Sequence, residues 1–399
     1  MSRQWHIVTC EFPPQIGGVG DYSFEIAKEL ARFGDEVHVW CGSASGEAPE
    51  CTGVSVHRMM GGFSPRDLWR AGKLMDEFPA PRRLFVQWVP HGYGYRSMNV
   101  FFCVWLWLRA KMKRDHAEIM FHEVWLSFGI SWKANIAAAV HRVMVALLKD
   151  AAAKIWISCE AWREFLQNAK APAGWLPVSC NVSGDAEPEK IAAVRQRCRE
   201  GKASRIVGHL GIGDSLVEGQ LRQLVPSLLQ EKNDVCFLLI GKRSLALSRE
   251  LQSAYPDMAS RILCSGVLSR DELSAHVSAC DLLVQPYIDG ISTRRTAAMA
   301  ALATGRALLT TSGHSTEPFW LECGQLAIVP SGDTRSLVTR AVQLLEDDHQ
   351  RERMANAGKQ LYYALFAASV SVQVLREEKR PWNAETIAHL TSATHSAVT

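Results

Sequence analysis

Two doubly wound α/β domains in tandem are what this sequence predicts. Three observations carry the prediction: short apolar runs of strand length, helix-period segments between them, and one polar break near the middle of the chain. The first half holds "WHIVTC", "EVHVWC", "RLFVQWV", "EIMFHEV" and "AKIWISC". The second half holds "SRIVGHLG", "DVCFLLIG", "RILCSGVL", "CDLLVQPY", "RALLTT" and "LAIV". Such runs, apolar throughout and often β-branched, are those of parallel strands covered on both faces. Between the two sets, "WLPVSCNVSGDAEPEK" is rich in Pro, Ser, Gly and acidic residues and reads as a linker. The expected division is 1–180, a linker over 181–203, a second domain over 204–375, and a tail over 376–399 packing back on the first domain. A ligand is expected in the cleft between the domains.

Bulk properties agree with this division and exclude several functions. A chain of 399 residues is too long for one ordinary core. At 47% hydrophobic and 21% charged it is globular, and a formal net charge of +3 points to no nucleic-acid partner. The eleven cysteines include no CxxC pair and no zinc-ligand spacing. Cys236 and Cys280 sit in or beside strand-like runs, where cysteine acts as a small hydrophobe. With no signal-peptide pattern in "MSRQWHIVTCEFPP", a reducing cytoplasm is expected. "MNVFFCVWLWLRAKMKR" is apolar and then basic, but its apolar part is short of the ~20 residues that cross a bilayer. A buried helix is the expectation there, and an interfacial anchor giving peripheral membrane contact is the alternative.

The first loop, "EFPPQIGGVGDYSFEIAKELARFGDEV", runs from strand through prolines and glycines into a helix. Val19, Tyr22, Ile26, Leu30 and Phe33 keep helical spacing, and Gly34 is a natural stop. Gly18 and Gly20 let backbone N–H groups approach an anion at the helix start. A loop that simply needs positive φ is the equal alternative. A dinucleotide site fits poorly, because Gly18, Gly20 and Ser23 match G-x-G-x-x-G only in part. The next strand, "VHVWCGS", also ends without an acid for a ribose hydroxyl. The second-half "GHLGIGDS" is another partial match, and its next strand ends at Lys242 and Arg243, a pair able to hold a phosphate. A nicotinamide-dependent oxidoreductase therefore stays as an alternative. "GSASG" puts Ala44 where a hydrolase serine belongs, and neither H-E-x-x-H nor Asp-x-Asp occurs, so no metal is expected.

The densest chemistry lies in "DGISTRRTAAMAALATG", where two arginines, a serine and a threonine precede a run of alanines. Twin arginines at a helix start are costly to place without an anion, the alternative being a solvated helix end. These residues, with "P…GGVGDYSFEIAKELARFGDEVHVW" and "GVLSRDELSAHVSACDLLVQPYIDGISTRRTAAMAALATGRALLTTSGHSTEPFW", resemble the two halves of a GT-B glycosyltransferase of the GT4 type (glycosyl transferases group 1). The resemblance spans nearly the whole chain and implies two Rossmann-like domains. It implies that Asp289 contacts the donor sugar and that Gly290, Ile291, Ser292 and Thr293 open a helix against the nucleotide diphosphate. Arg294, Arg295, Lys242 or Arg243 would supply positive charge there. Glu317 matches an acidic position that caps a helix or reaches the nucleotide. In the first half it points to the Gly17–Gly20 loop near the diphosphate and to His122 near the donor hexose. His91, Tyr93 and Trp125 are weaker candidates for lining an acceptor pocket. For His122 and His91 a structural role is the default.

Two departures stand out. The family's second helix Glu is replaced by Ala297, and its phosphate-binding Arg and Lys-Gly by His209 and Glu218. The implied activity is transfer of a sugar from a nucleotide-diphosphate donor to an unidentified acceptor hydroxyl. The configuration would be retained, without cofactor or metal. A non-catalytic GT-B nucleotide or sugar binder is the alternative that the departures favour.

Overall fold

The computed structural model describes residues 2–379, apart from 45, 47, 48, 130, 201, 202 and 212–214. The expected tail beyond 379 and residues 212–214 of "GHLGIGDS" lie outside the described residues. Contacts divide the chain into two compact units. The first runs to Ser179 and takes the chain back at Ala368, and the second runs from Cys180 to Ala367.

In chain order, the first unit holds β1 (Gln4–Thr9), α1 (Gly18–Arg32), β2 (Glu36–Trp40), β3 (Val54–His57), α2 (Pro65–Met75) and β4 (Arg83–Trp88). It continues with α3 (Val100–Met112), β5 (His116–Phe121), α4 (Trp132–Ala151), β6 (Lys154–Ile157) and β7 (Ala173–Trp175). All strands are parallel, in the order β3-β2-β1-β4-β5-β6-β7. Strand order reverses between β1 and β4, the switch point where open α/β sheets bind ligands beyond the strand carboxyl ends. Local sequence dictates the helix ends. Ser64 caps α2 through the Asp67 amide, the Asp67 carboxylate returns to the Ser64 N–H, and Pro65 presets the first turn. Gly34 ends α1 at φ +82°.

The second unit holds α5 (Pro188–Glu200), β8 (Arg205–Leu210), α6 (Ser215–Glu231), β9 (Val235–Ile240), α7 (Ser244–Ala254), β10 (Ile262–Cys264), α8 (Arg270–Ala279) and β11 (Leu282–Gln285). Next come α9 (Thr296–Ala303), β12 (Ala307–Ser312), α10 (Pro318–Glu322), β13 (Ala327–Pro330), α11 (Thr334–Glu346) and α12 (Asp348–Leu361). Its parallel sheet runs β10-β9-β8-β11-β12-β13, with a switch point between β8 and β11. Val207, Phe237, Leu239, Leu282 and Leu309 fill the core under α6 and α11. Each such side chain is worth ~1.5–3 kcal/mol on burial. Within the stretch expected as linker, α5 is helical and packs on α8.

α13 (Ala368–Leu375) belongs to the first unit and packs on α1. The Arg83 guanidinium donates to the Leu375 carbonyl at 2.7 Å. Arg376 ion-pairs with the buried Asp35, which also accepts from Trp5 Nε1 at 3.0 Å. The α3 segment departs from the buried helix expected of it. Phe102, Cys103 and Leu106 face the core, but Phe101, Val104, Leu108 and Met112 are exposed.

Candidate functional site

The loop after β11 is built around a glycine where any side chain would clash. Gly290 has φ +91°, and a Cβ there would come within 2.1 Å of Thr316 Oγ1 and 2.3 Å of the Gly313 nitrogen. The loop is laced to the end of β12. Ile291 N–H donates to the Thr311 carbonyl and Ser315 N–H to the Asp289 carbonyl, both at 2.8 Å. This presents Asp289 beside Arg294 and Arg295. Its carboxylate accepts from Arg294 at 2.5 Å and, through its other oxygen, from Arg295. Burial alone would raise the Asp289 pKa, but Arg295 and Arg294 more than offset it and hold the carboxyl below its ordinary value. Two guanidinium groups thus share the Asp289 carboxylate. The Arg295 guanidinium also lies 4.4 Å from the centroid of the Tyr287 ring. Its Nε–H and the Ser292 hydroxyl are buried without hydrogen-bond partners.

The helix itself differs from expectation. α9 begins at Thr296, not Ile291, because Thr293 and Arg294 form a turn and residues 291, 292 and 295 are irregular. Thr293 faces its neighbour instead of an open helix end. Its N–H donates to Glu317 at 2.9 Å, its hydroxyl donates to the same carboxylate, and Trp320 Nε1 adds a third donor at 2.9 Å. Glu317 precedes α10 without capping it through its side chain. It is buried and serves to hold the Thr293 turn in place.

At the neighbouring switch-point strand, His209 Nδ1–H donates to the Val284 carbonyl at 2.8 Å. Burial lowers its pKa, so the ring is neutral where an arginine would have been charged. Glu218 on α6 draws Arg243 to 3.3 Å and Arg222 to 3.6 Å. Arg243 is thereby compensated, and Lys242 is exposed. Ala297, on the first turn of α9, faces Gly211 just after β8.

In the first unit the glycine loop also holds a carboxylate. Glu11 accepts from the Val19 and Gly20 N–H groups at 2.9 and 3.0 Å, filling the start of α1. A Cβ at Gly17 would strike that carboxylate. Gly18 and Gly20 therefore frame an anion site that the chain's own side chain occupies. Glu11 carries its own signal in the sequence, an acid between a strand and a glycine-rich helix start, but it is absent from the residues that motif matching singles out. His122, at the end of β5, donates from Nε2 to Gln87 Oε1 at 2.8 Å and meets the Tyr22 ring edge-on. Burial lowers its pKa to about 4, so it is neutral at physiological pH. His91 is exposed and sits 3.4 Å from Glu123, whose hydrogen bond raises its pKa against the opposing effect of burial. Tyr93 is a correction. It is fully buried, stacked on Phe102 and Trp88 with its hydroxyl donating to the Gln87 carbonyl, and no ring face is open to an acceptor. Trp125 is half-buried between Phe165 and the Arg142 guanidinium.

Comparison with solved structures defines the class: this is a GT-B fold of two Rossmann-like domains. Sucrose-phosphate synthase from Thermosynechococcus elongatus superposes with TM-score 0.72 at 13% identity, covering 95% of this chain and 98% of the other. Anabaena HepE in complex with UDP and glucose gives 0.66 at 15%, covering 95% and 99%. The UDP-forming α,α-trehalose-phosphate synthase from Burkholderia xenovorans, in complex with glucose-6-phosphate, gives 0.66 at 13%, covering 94% and 99%. Within that class, residues 206–347 match the family model described as Glycosyl transferases group 1. No curated protein sequence matches.

Proposed function

We propose that the chain is a retaining, metal-independent GT4-type glycosyltransferase that moves a sugar from a nucleotide-diphosphate donor to an acceptor hydroxyl. The carrying observation is the arginine pair, two guanidinium groups sharing the Asp289 carboxylate at the switch point of the second sheet. In this reading Arg294 and Arg295 stabilise charge on the departing diphosphate, the largest task in such a transfer. Asp289 orients both arginines and contacts the donor sugar. The leaving diphosphate takes the acceptor proton on the front face, so no protein nucleophile is required. His122, neutral and fixed by Gln87, would donate a hydrogen bond near the hexose only after turning from its present partner. The binding of UDP and glucose by HepE, and of glucose-6-phosphate by the trehalose-phosphate synthase, supports a nucleotide sugar and a hydroxyl acceptor here. Eleven cysteines, none in a disulfide, support a reducing, cytoplasmic setting.

The test is thermal shift with UDP-, GDP- and ADP-linked sugars, followed by donor turnover with and without EDTA. One nucleotide sugar should raise the melting temperature by mass action, and turnover should survive EDTA. Loss of turnover in EDTA ends the metal-independent mechanism. A second reading, a non-catalytic nucleotide-sugar binder, is favoured by Ala297 and Glu218. It predicts stabilisation without any donor hydrolysis or transfer.

A further inference from the structure

With strand order β3-β2-β1-β4-β5-β6-β7, right-handed crossovers send α2, α3 and α4 to one face of the first sheet and α1 to the other. α3 packs on both α2 and α4, so the three helices form one layer. A layer that covers a sheet ordinarily turns polar residues outward. This one presents apolar stripes. On α3 the outward line is Phe101, Val104, Leu108 and Met112, at helical spacing and all exposed, Met112 to 74%. On α4 it is Trp132, Ile136 and Val143, with Trp132 68% exposed. Trp69 on α2, 58% exposed, closes a groove of 530 Å³ against Phe101, Leu108 and Met112. Large hydrophobics scattered singly on a surface need no explanation, but a contiguous face drawn from three helices does.

The charges around that face point to its occupant. Arg66, Arg70 and Lys73 are exposed on α2, Lys111 and Lys113 flank the end of α3, and Lys133 begins α4. The Lys73 ammonium lies 4.1 Å from the Trp69 ring centroid, and Lys133 lies 5.7 Å from that of Trp132. Lys113 pairs with Asp76 at 2.9 Å and Lys111 with Asp150 at 3.2 Å, whereas Arg66, Arg70, Lys73 and Lys133 form no ion pair among the described residues, so these four carry the basic character of the border. An aromatic and aliphatic face bordered by long basic side chains suits the boundary between headgroups and acyl chains. A second copy docked by two-fold symmetry would instead set this rim against another of the same sign. Among the described residues no helix is long and apolar enough to cross a membrane, and α3 has 13 residues, so the geometry is in-plane.

We propose that the α2–α3–α4 face docks on an anionic lipid bilayer. This inference is independent of the transferase reading, because its test reads partition and no turnover. The full-length protein is floated with vesicles of phosphatidylcholine alone and of phosphatidylcholine with phosphatidylglycerol. It should float with the second and hardly with the first, and high salt should release it. Phe101→Ser with Leu108→Ser and Met112→Ser should lower the partition about tenfold or more. Arg66→Glu with Arg70→Glu and Lys73→Glu should lower it about a hundredfold. All six side chains face solvent, so an unchanged melting curve verifies that each variant folds. Wild-type protein left unbound by both vesicles overturns the proposal, as do variants that float like wild type. A dimer in solution that the serine variant dissociates also overturns it, in favour of a second copy.

Discussion

Each sheet carries a ligand-type loop at its own switch point, and the two loops are electrostatically unlike. After β1, one carboxylate, Glu11, accepts from backbone amides at the start of α1. A helix start is equivalent to roughly half a positive charge, so this loop is already saturated. After β11, one carboxylate, Asp289, is shared by two guanidinium groups. Both loops rely on glycine, but only the second adds side-chain cations. The lesson is that a glycine-rich helix start becomes an anion site only when the chain itself does not fill it.

The predictions below test that contrast. The largest effect should come from Arg294→Ala with Arg295→Ala. Donor kcat/KM should fall by about two to three orders of magnitude while the fold is kept, as when a preorganised charge partner is removed. Unchanged kinetics would remove the second loop from catalysis. Gly290→Ala combines a left-handed backbone with a steric clash and should cost about 3 kcal/mol in urea unfolding. Wild-type stability in that variant would mean the loop moves aside easily.

Acid should act through buried histidines in both regions, His209 beside the second loop included, since burial lowers its pKa as well. His122 beside the first loop and His6 on β1 titrate near 6.5 when unfolded, and folding lowers them to about 4 and about 3. For His6, burial is again the first cause, with His38 adding to it. As pH falls below 6.5 the unfolded chain takes up protons first. Stability is therefore complete above that pH and declines toward the folded values. From pH 7 to 5 the loss should be roughly 1–2 kcal/mol per histidine, and His122→Asn should abolish its share. Asp289, held below the ordinary carboxylate range, should add nothing to that slope. Persistence of the full slope in His122→Asn would place the titration elsewhere.

Glu11→Ala should cost about 1 kcal/mol, the size of a lost helix cap. It should also make inorganic phosphate raise the melting temperature more than in wild type, because the α1 amides become available. An unchanged phosphate response would show that Glu11 does not occupy an anion site. The smallest effect should come from Arg243→Ala. Glu218 already compensates that charge, so donor KM should move by less than about threefold. A larger change would return this pair to the donor site.

Much of the fold was legible because buried parallel strands are written as continuous apolar runs. All eleven quoted runs contain strands, and both sheets follow from them. The strands overlooked were β3, "VSVH", and β7, "AGW", both on sheet edges and too short or too polar to carry the period. The site was less legible. Residue types at Asp289, Gly290 and the arginines were visible, but the start of α9 was misplaced. The turn at 293–294 is held by Glu317 reaching back across a strand, a partner distant in sequence. The role of Glu11 was hidden likewise, since nothing local says where a carboxylate will point. Tyr93 shows the converse: an aromatic after a strand looks exposed until its stacking partners are known.

The return of α13 to the first unit has a consequence for how the chain is made. Ala368–Leu375 pack on α1, and Arg376 meets Asp35, which follows α1. A ribosome delivers these residues only after every strand of the second sheet. While translation proceeds, the nascent first unit has its seven strands but leaves the α1 surface bare and Asp35 without that arginine. The first part synthesised is thus the last completed, and holding it together in the interval is work for whatever attends the emerging chain.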